Sequence, residues 1–481
     1  MIYSQVIMRL LSPVAGAGRN PGKTFTASAI LLFILIWTGA ALPLSGIPAL
    51  ELDDKARLSA FLDYLSSAAS APREELDMDG RVVIHVVDGA GHSLPFASYR
   101  VSAGRIEVCR GRAFSDGTFF FYPRRVHEVP TGELYRLEVS ARGAASVIML
   151  DPELPSRLSV AIPGARPLPE PLPCDIVFVI DTARSMSKYL EPLKRMITAV
   201  GQAAAAANPP LQLRSGLVLY RDCGDEYLVK SAPLSADLKA FGAALANADA
   251  GERGDTAEDL GAGLRAAVEG MNYAQNGIRL VFAFTDAPPS IRAGDLSKGG
   301  AGYSDVCEAA LESGIKIYTA GMGQPVMSGE YALRQIAAYT GAVYLEADPP
   351  ADIAMGGAIG AIHGDLGTLI ERIIAGEAAS ARSGKEAIRD PGLALLDSVQ
   401  SRMASALVYP EAARLRGASG TVRVSLTVDE RGNLLSASVS SSSGSSILDR
   451  AALDLARSVF PLANPAGSRL EMEIAVAYRL Q

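Results

Sequence analysis

The segment Asp175–Tyr189 (DIVFVIDTARSMSKY) constrains this chain more than any other. Bulky apolar residues run without polar interruption from Ile176 to Ile180, as a strand buried on both faces requires, and then stop at an aspartate. A loop with hydroxyls and a helical pattern follow. Further strands are expected at Leu213–Tyr220, Ile278–Thr285, Ile315–Ala320 and Ala342–Leu345, with helices at Met186–Val200, Thr256–Met271, Asp305–Ser313 and Tyr331–Tyr339. Such alternation builds a mainly parallel, doubly wound α/β sheet with helices on both faces. Ligands bind such sheets beyond the carboxyl ends of the strands.

The rest of the 481 residues must form other domains, because one core does not grow to that size. At 49% hydrophobic and 20% charged residues the chain can bury those cores. A net charge of −7 argues against nucleic-acid binding, which needs a concentrated basic face. The cysteines, Cys109, Cys174, Cys223 and Cys307, show no CxxC spacing, and His85, His92, His127 and His363 are equally scattered. Disulfides after export are compatible with this spacing, but it selects no pairing, and a histidine metal site is not expected.

Residues 1–50 read as a signal peptide or membrane anchor. Arg9, Arg19 and Lys23 precede a stretch without charge from Thr24 to Leu50, which contains the apolar run Ala27–Trp37 and then the small residues Gly39-Ala40-Ala41. The basic flank holds the N-terminus in the cytoplasm and sends the remainder outward, to the periplasm and cell envelope. The run lies between the lengths of a cleaved signal and a retained inner-membrane helix, so both stay open. Ala17–Thr24 (AGRNPGKT) fits a relaxed phosphate-loop pattern, but no strand precedes it, and it is read as the flank of the export signal.

Residues 51–163 are expected to hold an amphipathic helix (Asp53–Ser70, with Leu58, Phe61, Leu62 and Leu65 on one face) and then a small β-sandwich. The turns Asp88-Gly89-Ala90-Gly91 and Ser115-Asp116-Gly117 punctuate strands at Val82–Val87, Phe119–Tyr122, Tyr135–Val139, Ser146–Leu150 and Leu158–Ile162. The order V-x-D-x-x-G-x-x-L-P-x-A and then S-D-G-x-F-x-F loosely resembles the carboxypeptidase-regulatory-like sandwich. A proline-rich linker is expected at 164–173, the α/β domain at 174–375 and a small polar linker at 376–397. An α+β domain is expected at 398–481: a short helix Tyr409–Arg416, strands Thr421–Val428 and Leu434–Val439, a helix Ser446–Phe460 and a last alternating strand Leu470–Leu480.

Asp181, Ser185, Thr256 and Asp286 all fall at the carboxyl edge of the α/β sheet: Asp181 ends the first strand, Thr256 opens a helix and Asp286 closes a strand. Two carboxylates and two hydroxyls are hard oxygen ligands, suited to Mg²⁺, Mn²⁺ or Ca²⁺ rather than zinc. The arrangement resembles the von Willebrand factor type A domain, a doubly wound, Rossmann-like fold whose metal-ion-dependent adhesion site has the form D-x-S-x-S plus a distant threonine and aspartate. The resemblance makes Asp181 the first aspartate, Ser185 the second serine, Thr256 the threonine and Asp286 the second aspartate. Tyr220-Arg221-Asp222-Cys223-Gly224-Asp225-Glu226 fits members with Y-R-D-x-G-D-E after the second strand. One ligand is missing. Ala183 stands at the first hydroxyl position and Arg184 replaces the usual glycine, so a water fills the gap, the ion binds more weakly, or the site has lost its ion. The resemblance implies recognition of a partner carboxylate, not turnover.

Residues 409–481 resemble the C-terminal domain of TonB-type energy transducers. The match runs through Tyr409-Pro410-Glu411-Ala412-Ala413, Gly420-Thr421-Val422, Val428-Asp429-Glu430-Arg431-Gly432, Ser442–Ala452 and the final strand. That family binds an extended peptide at a sheet edge. The chain has no long proline-rich spacer, and its apolar N-terminal run has no ionisable residue to engage a proton-driven motor. An exported binding and adaptor protein is therefore expected, with an inner-membrane energy transducer for outer-membrane transport as the alternative. No enzyme motif is present: there is no G-x-S-x-G, no H-E-x-x-H and no cysteine–histidine signature. The expected partners are other envelope proteins or peptides, outer-membrane proteins among them, together with the inner membrane if the N-terminal helix is retained.

Overall fold

A computed structural model describes residues 46–478, apart from 56–57, 59–60, 63–64, 66–75, 124–128, 130–131, 152–153, 155–156, 222–224, 252–258, 288, 290–301, 324–326, 350–361, 384–394, 396–397, 400–401, 404–405 and 465–468. The apolar run, its basic flank and the phosphate-loop-like segment lie outside the described residues. No helix among the described residues is long and apolar enough to cross a membrane.

The chain divides into two compact units, and the larger one holds the α/β domain and the sandwich together. It opens with β1 (Pro48–Leu52), followed by the sandwich strands β2 (Val82–Val87), β3 (Ser98–Ala103), β4 (Ile106–Arg112), β5 (Thr118–Phe121), β6 (Tyr135–Ala141), β7 (Ala144–Leu150) and β8 (Arg157–Ala161). These seven form a three-stranded sheet, β5-β2-β8, and a four-stranded sheet, β4-β3-β6-β7, closed on a core of Ile84, Val86, Val101, Phe119, Leu137 and Val139.

The α/β part follows with β9 (Leu172–Asp181), α1 (Ser187–Ala205), β10 (Leu211–Tyr220), β11 (Val229–Ser235), α2 (Leu238–Ala246), α3 (Leu260–Val268), β12 (Ile278–Thr285), α4 (Tyr303–Ser313), β13 (Lys316–Met322), α5 (Met327–Tyr339), β14 (Tyr344–Ala347), β15 (Ile362–Asp365) and α6 (Leu366–Ser383). Its sheet has the order β11-β10-β9-β12-β13-β14-β1-β15. The five strands from β10 to β14 are parallel, while β11 and β1 run against their neighbours. Ile176–Ile180 are at most 1% exposed, which explains their unbroken apolar character.

Two expected boundaries move. The limit at residue 50 falls inside β1, which pairs antiparallel with both β14 and β15 and so belongs to the α/β sheet. The amphipathic face follows it there: Phe61 and Leu65 are buried in the α/β core, with Leu58 and Leu62 packed against it. At the other end, residues 376–383 extend α6 instead of forming a linker, because Ala378 and Ala381 are buried against the same core.

The sandwich docks where the parallel strands begin. Lys316, the first residue of β13, is buried; its Nζ lies 2.8 Å from Glu377 of α6 and 3.4 Å from Asp116 of the β4–β5 turn. Burial alone would lower the Lys316 pKa, but the Asp116 and Glu377 carboxylates outweigh it and raise it. The Tyr318 and Ser115 hydroxyls also donate to Glu377. Beside this cluster Tyr122 stacks on Tyr339, ring centroids 5.0 Å apart.

The smaller unit contains the C-terminal domain: a one-turn helix α7 (Glu411–Arg414), β16 (Gly420–Val428), β17 (Leu434–Ser441), α8 (Ser446–Ser458) and β18 (Leu470–Tyr478). The sheet order is β17-β16-β18, all antiparallel. The alternation in β16 buries Val422, Val424, Leu426 and Val428, which meet Leu448, Ala452 and Ala456 of α8. The β16–β17 turn is held by Asp429, whose carboxylate accepts from the Arg431 and Asn433 amides and the Asn433 side chain. Gly432 in that turn has φ +90°, and a Cβ there would fall 1.5 Å from the Leu462 carbonyl oxygen. Strand β18 lies at the sheet's edge.

Two outcomes follow from this packing. Lys316→Met leaves two half-buried carboxylates without their buried cation, so it should destabilise the larger unit by about 3 kcal/mol, read as an earlier urea transition. Val476→Pro, at a buried position of β18, should unfold the C-terminal domain, while deletion of residues 398–481 should leave the larger unit as resistant to proteolysis as before.

Candidate functional site

The strand order turns back on itself at β9, with β10 on one side and β12 on the other, so a crevice opens beyond the carboxyl ends of β9 and β12. Three of the four expected ligands meet there. Asp181 ends β9 fully buried, its Oδ1 accepting from the Ala183 amide at 2.8 Å and its Oδ2 from the Thr285 hydroxyl at 2.9 Å. Ser185 sits exposed in the 3₁₀ turn Arg184–Met186 and donates to Asp286 Oδ1 at 2.8 Å. Thr256, the fourth, lies outside the described residues, as do Asp222, Cys223 and Gly224.

Both carboxylates are perturbed. Burial pushes the Asp181 carboxyl up to about 7; the bonds from Ala183 and Thr285 work against that, and the neighbouring Asp286 charge adds to it. Burial also raises Asp286, opposed by its bond from Ser185 and by the Lys188 ammonium. A carboxylate buried like Asp181, with both oxygens on neutral donors, is costly in its charged form.

A second layer holds this loop, and of its residues the sequence had marked only Arg221 and Glu226. Thr182 is buried, its Oγ1 2.7 Å from the Tyr227 hydroxyl and 3.3 Å from Arg221 Nε. The Arg221 guanidinium lies over the Tyr227 ring at 4.3 Å and donates to the Asp249 carbonyl at 2.8 Å. Glu226, the last residue of that Y-R-D-x-G-D-E stretch, pairs with Arg221 at 3.4 Å and Lys230 at 3.2 Å. On the far side the Tyr189 hydroxyl donates to Asp348 at 2.9 Å. Thr285 was within reach of the sequence, since a hydroxyl directly before Asp286 at a strand end must lie at this edge. Arg221 and Tyr227 come from the β10–β11 loop and meet Thr182 of the loop after β9, and Asp348 reaches Tyr189 from the end of β14, so these contacts depend on the tertiary fold.

The donor chemistry suits a hard divalent cation in kind. Two carboxylates and a serine hydroxyl face one crevice, and a cation between them would offset the cost of charging Asp181. The set is one donor short, because Ala183 offers only a methyl group and its amide is already bonded to Asp181. Among the described residues no three His, Cys, Asp or Glu side chains cluster to hold a metal by themselves, so hydroxyl and water oxygens would have to complete the shell. Among the described cysteines, Cys174 and Cys307 are buried and Cys109 half-buried.

Comparison with known proteins identifies two domains. Residues 175–353 match the family model for the von Willebrand factor type A domain, and residues 405–480 match the model for the Gram-negative bacterial TonB protein C-terminal. Among solved structures, the C-terminal domain of Helicobacter pylori TonB is 30% identical over 18% of this chain and 83% of its own, with a TM-score of 0.18. BatB from Bacteroides thetaiotaomicron is 16% identical over 43% of this chain and 98% of its own, with a TM-score of 0.30. An aerotolerance-related membrane protein from Bacteroides fragilis is 15% identical over the same shares, with a TM-score of 0.29. No curated protein matches. The chain carries a von Willebrand factor type A domain followed by a small TonB-like C-terminal domain.

Proposed function

We propose that this is an exported, non-enzymatic adaptor of the cell envelope. Its type A domain recognises a partner protein at the switch-point crevice with the help of a weakly held Mg²⁺-type ion, and its TonB-like domain couples that partner to a second envelope protein. The observation that carries the reading is the convergence of Asp181, Ser185 and Asp286 on one crevice, around a buried carboxylate that has no cationic bond partner among the described residues. Asp181, Ser185 and Asp286, with Thr256, would hold the ion, and the ion would supply a coordination position for a carboxylate of the partner. Arg184 and Lys188, both exposed beside the crevice, favour an acidic partner segment.

The C-terminal domain supports the coupling half. As an edge strand, β18 can extend its sheet by one more strand, and an extended peptide added there would gain main-chain hydrogen bonds. The basic flank and apolar run at the N-terminus support export.

Calorimetry with Mg²⁺ tests the ion. The protein should begin at residue 46, because a fragment starting after the sandwich would lose β1 from the sheet. The native chain should show weak binding. Ala183→Ser, which replaces a water by a fixed oxygen, should tighten it on the order of tenfold, about 1.4 kcal/mol. Asp181→Ala should abolish it, and Mg²⁺ should raise the melting temperature of the native chain but not of Asp181→Ala. If the native chain gives no heat with Mg²⁺ and Ala183→Ser gains it, the site has lost its ion and recognition proceeds without metal.

A further inference from the structure

Strand β7 is a sheet edge without the usual protection. Among the described residues it pairs with β6 alone, from Tyr135 opposite Leu150 to Ala141 opposite Ala144. Its sequence, AASVIML, has no charge and no proline, and its register against β6 is unbroken. The other long edges of the larger unit carry such guards. Strand β11 has Lys230 and Pro233, and β4 has Glu107, Arg110 and Arg112 with a register shift against β3. Strands β5, β8 and β15 are only four or five residues long. The β7 edge is also apolar. Val147 is 55% exposed and Met149 54%, and with Leu134 just ahead of β6 they are three of the four large apolar side chains exposed in the larger unit among the described residues. Apolar side chains gathered on an open edge mark a place for another strand.

The β6–β7 turn fixes which backbone groups that strand would meet. Arg142 (φ +43°) and Gly143 (φ +89°) make a two-residue turn of the primed type, closed by Ala141 opposite Ala144. The closing pair of such a turn is hydrogen-bonded, so Ala144, Ser146, Ile148 and Leu150 bond to β6. Ala145, Val147 and Met149 then turn their N–H and C=O groups to the open edge. The same three residues have exposed side chains.

We propose that β7 pairs antiparallel with β7 of a second copy of this chain, about a two-fold axis at Val147. In that register Val147 meets Val147 and Met149 meets Ala145, so a large side chain lies opposite a small one on both sides of the axis. Each of these pairs exchanges both of its N–H···O bonds. The charges fit as well. The first charged residues flanking the strand are Arg142 ahead of it and Asp151 after it, and antiparallel pairing sets Asp151 of each copy against the turn that carries Arg142 of the other. Glu138, opposite Val147 on β6, is paired with Arg136. It would lie three strand spacings, about 14 Å, from its counterpart, beyond the ~8 Å Debye length. A strand complementary to itself in volume, charge and bonding closes at two copies and leaves no open edge. Pairing of one strand covers less than the roughly 1,200 Å² of a standard interface, so the dimer should be weak, with a Kd of about 10–100 µM. The interface uses no residue of the crevice, so it stands or falls apart from the reading of that site.

Sedimentation equilibrium of residues 46–481, which keep every described element of both units, tests the pairing. The native chain should pass from monomer to dimer as its concentration rises. Val147→Lys sets two ammonium groups face to face at the axis, so it should weaken the dimer about tenfold or more. Because Val147 is exposed in the single copy, the variant should keep the native circular dichroism and Tm. Cross-linking locates the contact. In a Cys109→Ser, Cys223→Ser background, Val147→Cys should be joined into dimers by a short bismaleimide far faster than Arg110→Cys, which is exposed on β4 at the opposite edge of the same sheet. A native chain still monomeric at about 200 µM, well above the expected Kd, overturns the proposal. So does a dimer that Val147→Lys leaves intact, or cross-linking at equal rates from the two positions.

Discussion

The burial of one carboxylate organises the larger unit. Strand β9 is the innermost part of the sheet, apolar through Ile180, and it delivers Asp181 into a region without bulk water at the point where the strand order reverses. An ionised carboxylate in such a place must be compensated. The fold supplies an amide from Ala183 and a hydroxyl from Thr285, both neutral, and raises the pKa instead of neutralising the charge. The contrast with the other end of the sheet is instructive. There Asp175, equally buried, receives Arg214 in a bidentate pair with both bonds at 2.7 Å. The same protein thus gives one buried aspartate its guanidinium and leaves the other facing a crevice with a second carboxylate.

This division gives the two edges different work. Where the parallel strands begin, ion pairs and stacked rings fix the sandwich to the α/β core: Lys316 between Asp116 and Glu377, and Tyr122 on Tyr339. Such a buried network is costly to break and unlike the short, exposed loops of a binding surface. Where the strands end, Ser185, Arg184 and Lys188 are exposed. The second layer of Thr182, Arg221 and Tyr227 holds the loop that follows Asp181.

Much of this was legible in the sequence. The apolar runs of β9, β10, β12 and β13, the strict alternation of β16 and the Asp-Gly turns of the sandwich are local signals, and each sits where its pattern placed it. What escaped were features that depend on distant partners. β1 is only five residues (PALEL) and continues an uncharged stretch, so nothing local separates it from an export signal; its partners are almost 300 residues further on. The end of α6 is rich in small and polar residues and reads as a linker, yet Ala378 and Ala381 are small because they pack closely. At the site, the element ends announced Asp181, Ser185 and Asp286, whereas the Arg221–Tyr227–Thr182 bracket exists only once the loops after β9 and β10 have been brought together.

The central claim is that the crevice, though missing the hydroxyl at position 183, still holds a hard divalent cation through Asp181, Ser185, Thr256 and Asp286. Anomalous diffraction from crystals of the protein grown with millimolar Mn²⁺ measures this directly. The account predicts an anomalous peak between Asp181 and Asp286, within bonding distance of Ser185 and Thr256, with a water on the side of Ala183. Well-ordered crevice density with no manganese peak would contradict it, and would leave Asp181 as a buried acid that shapes the loop and binds nothing.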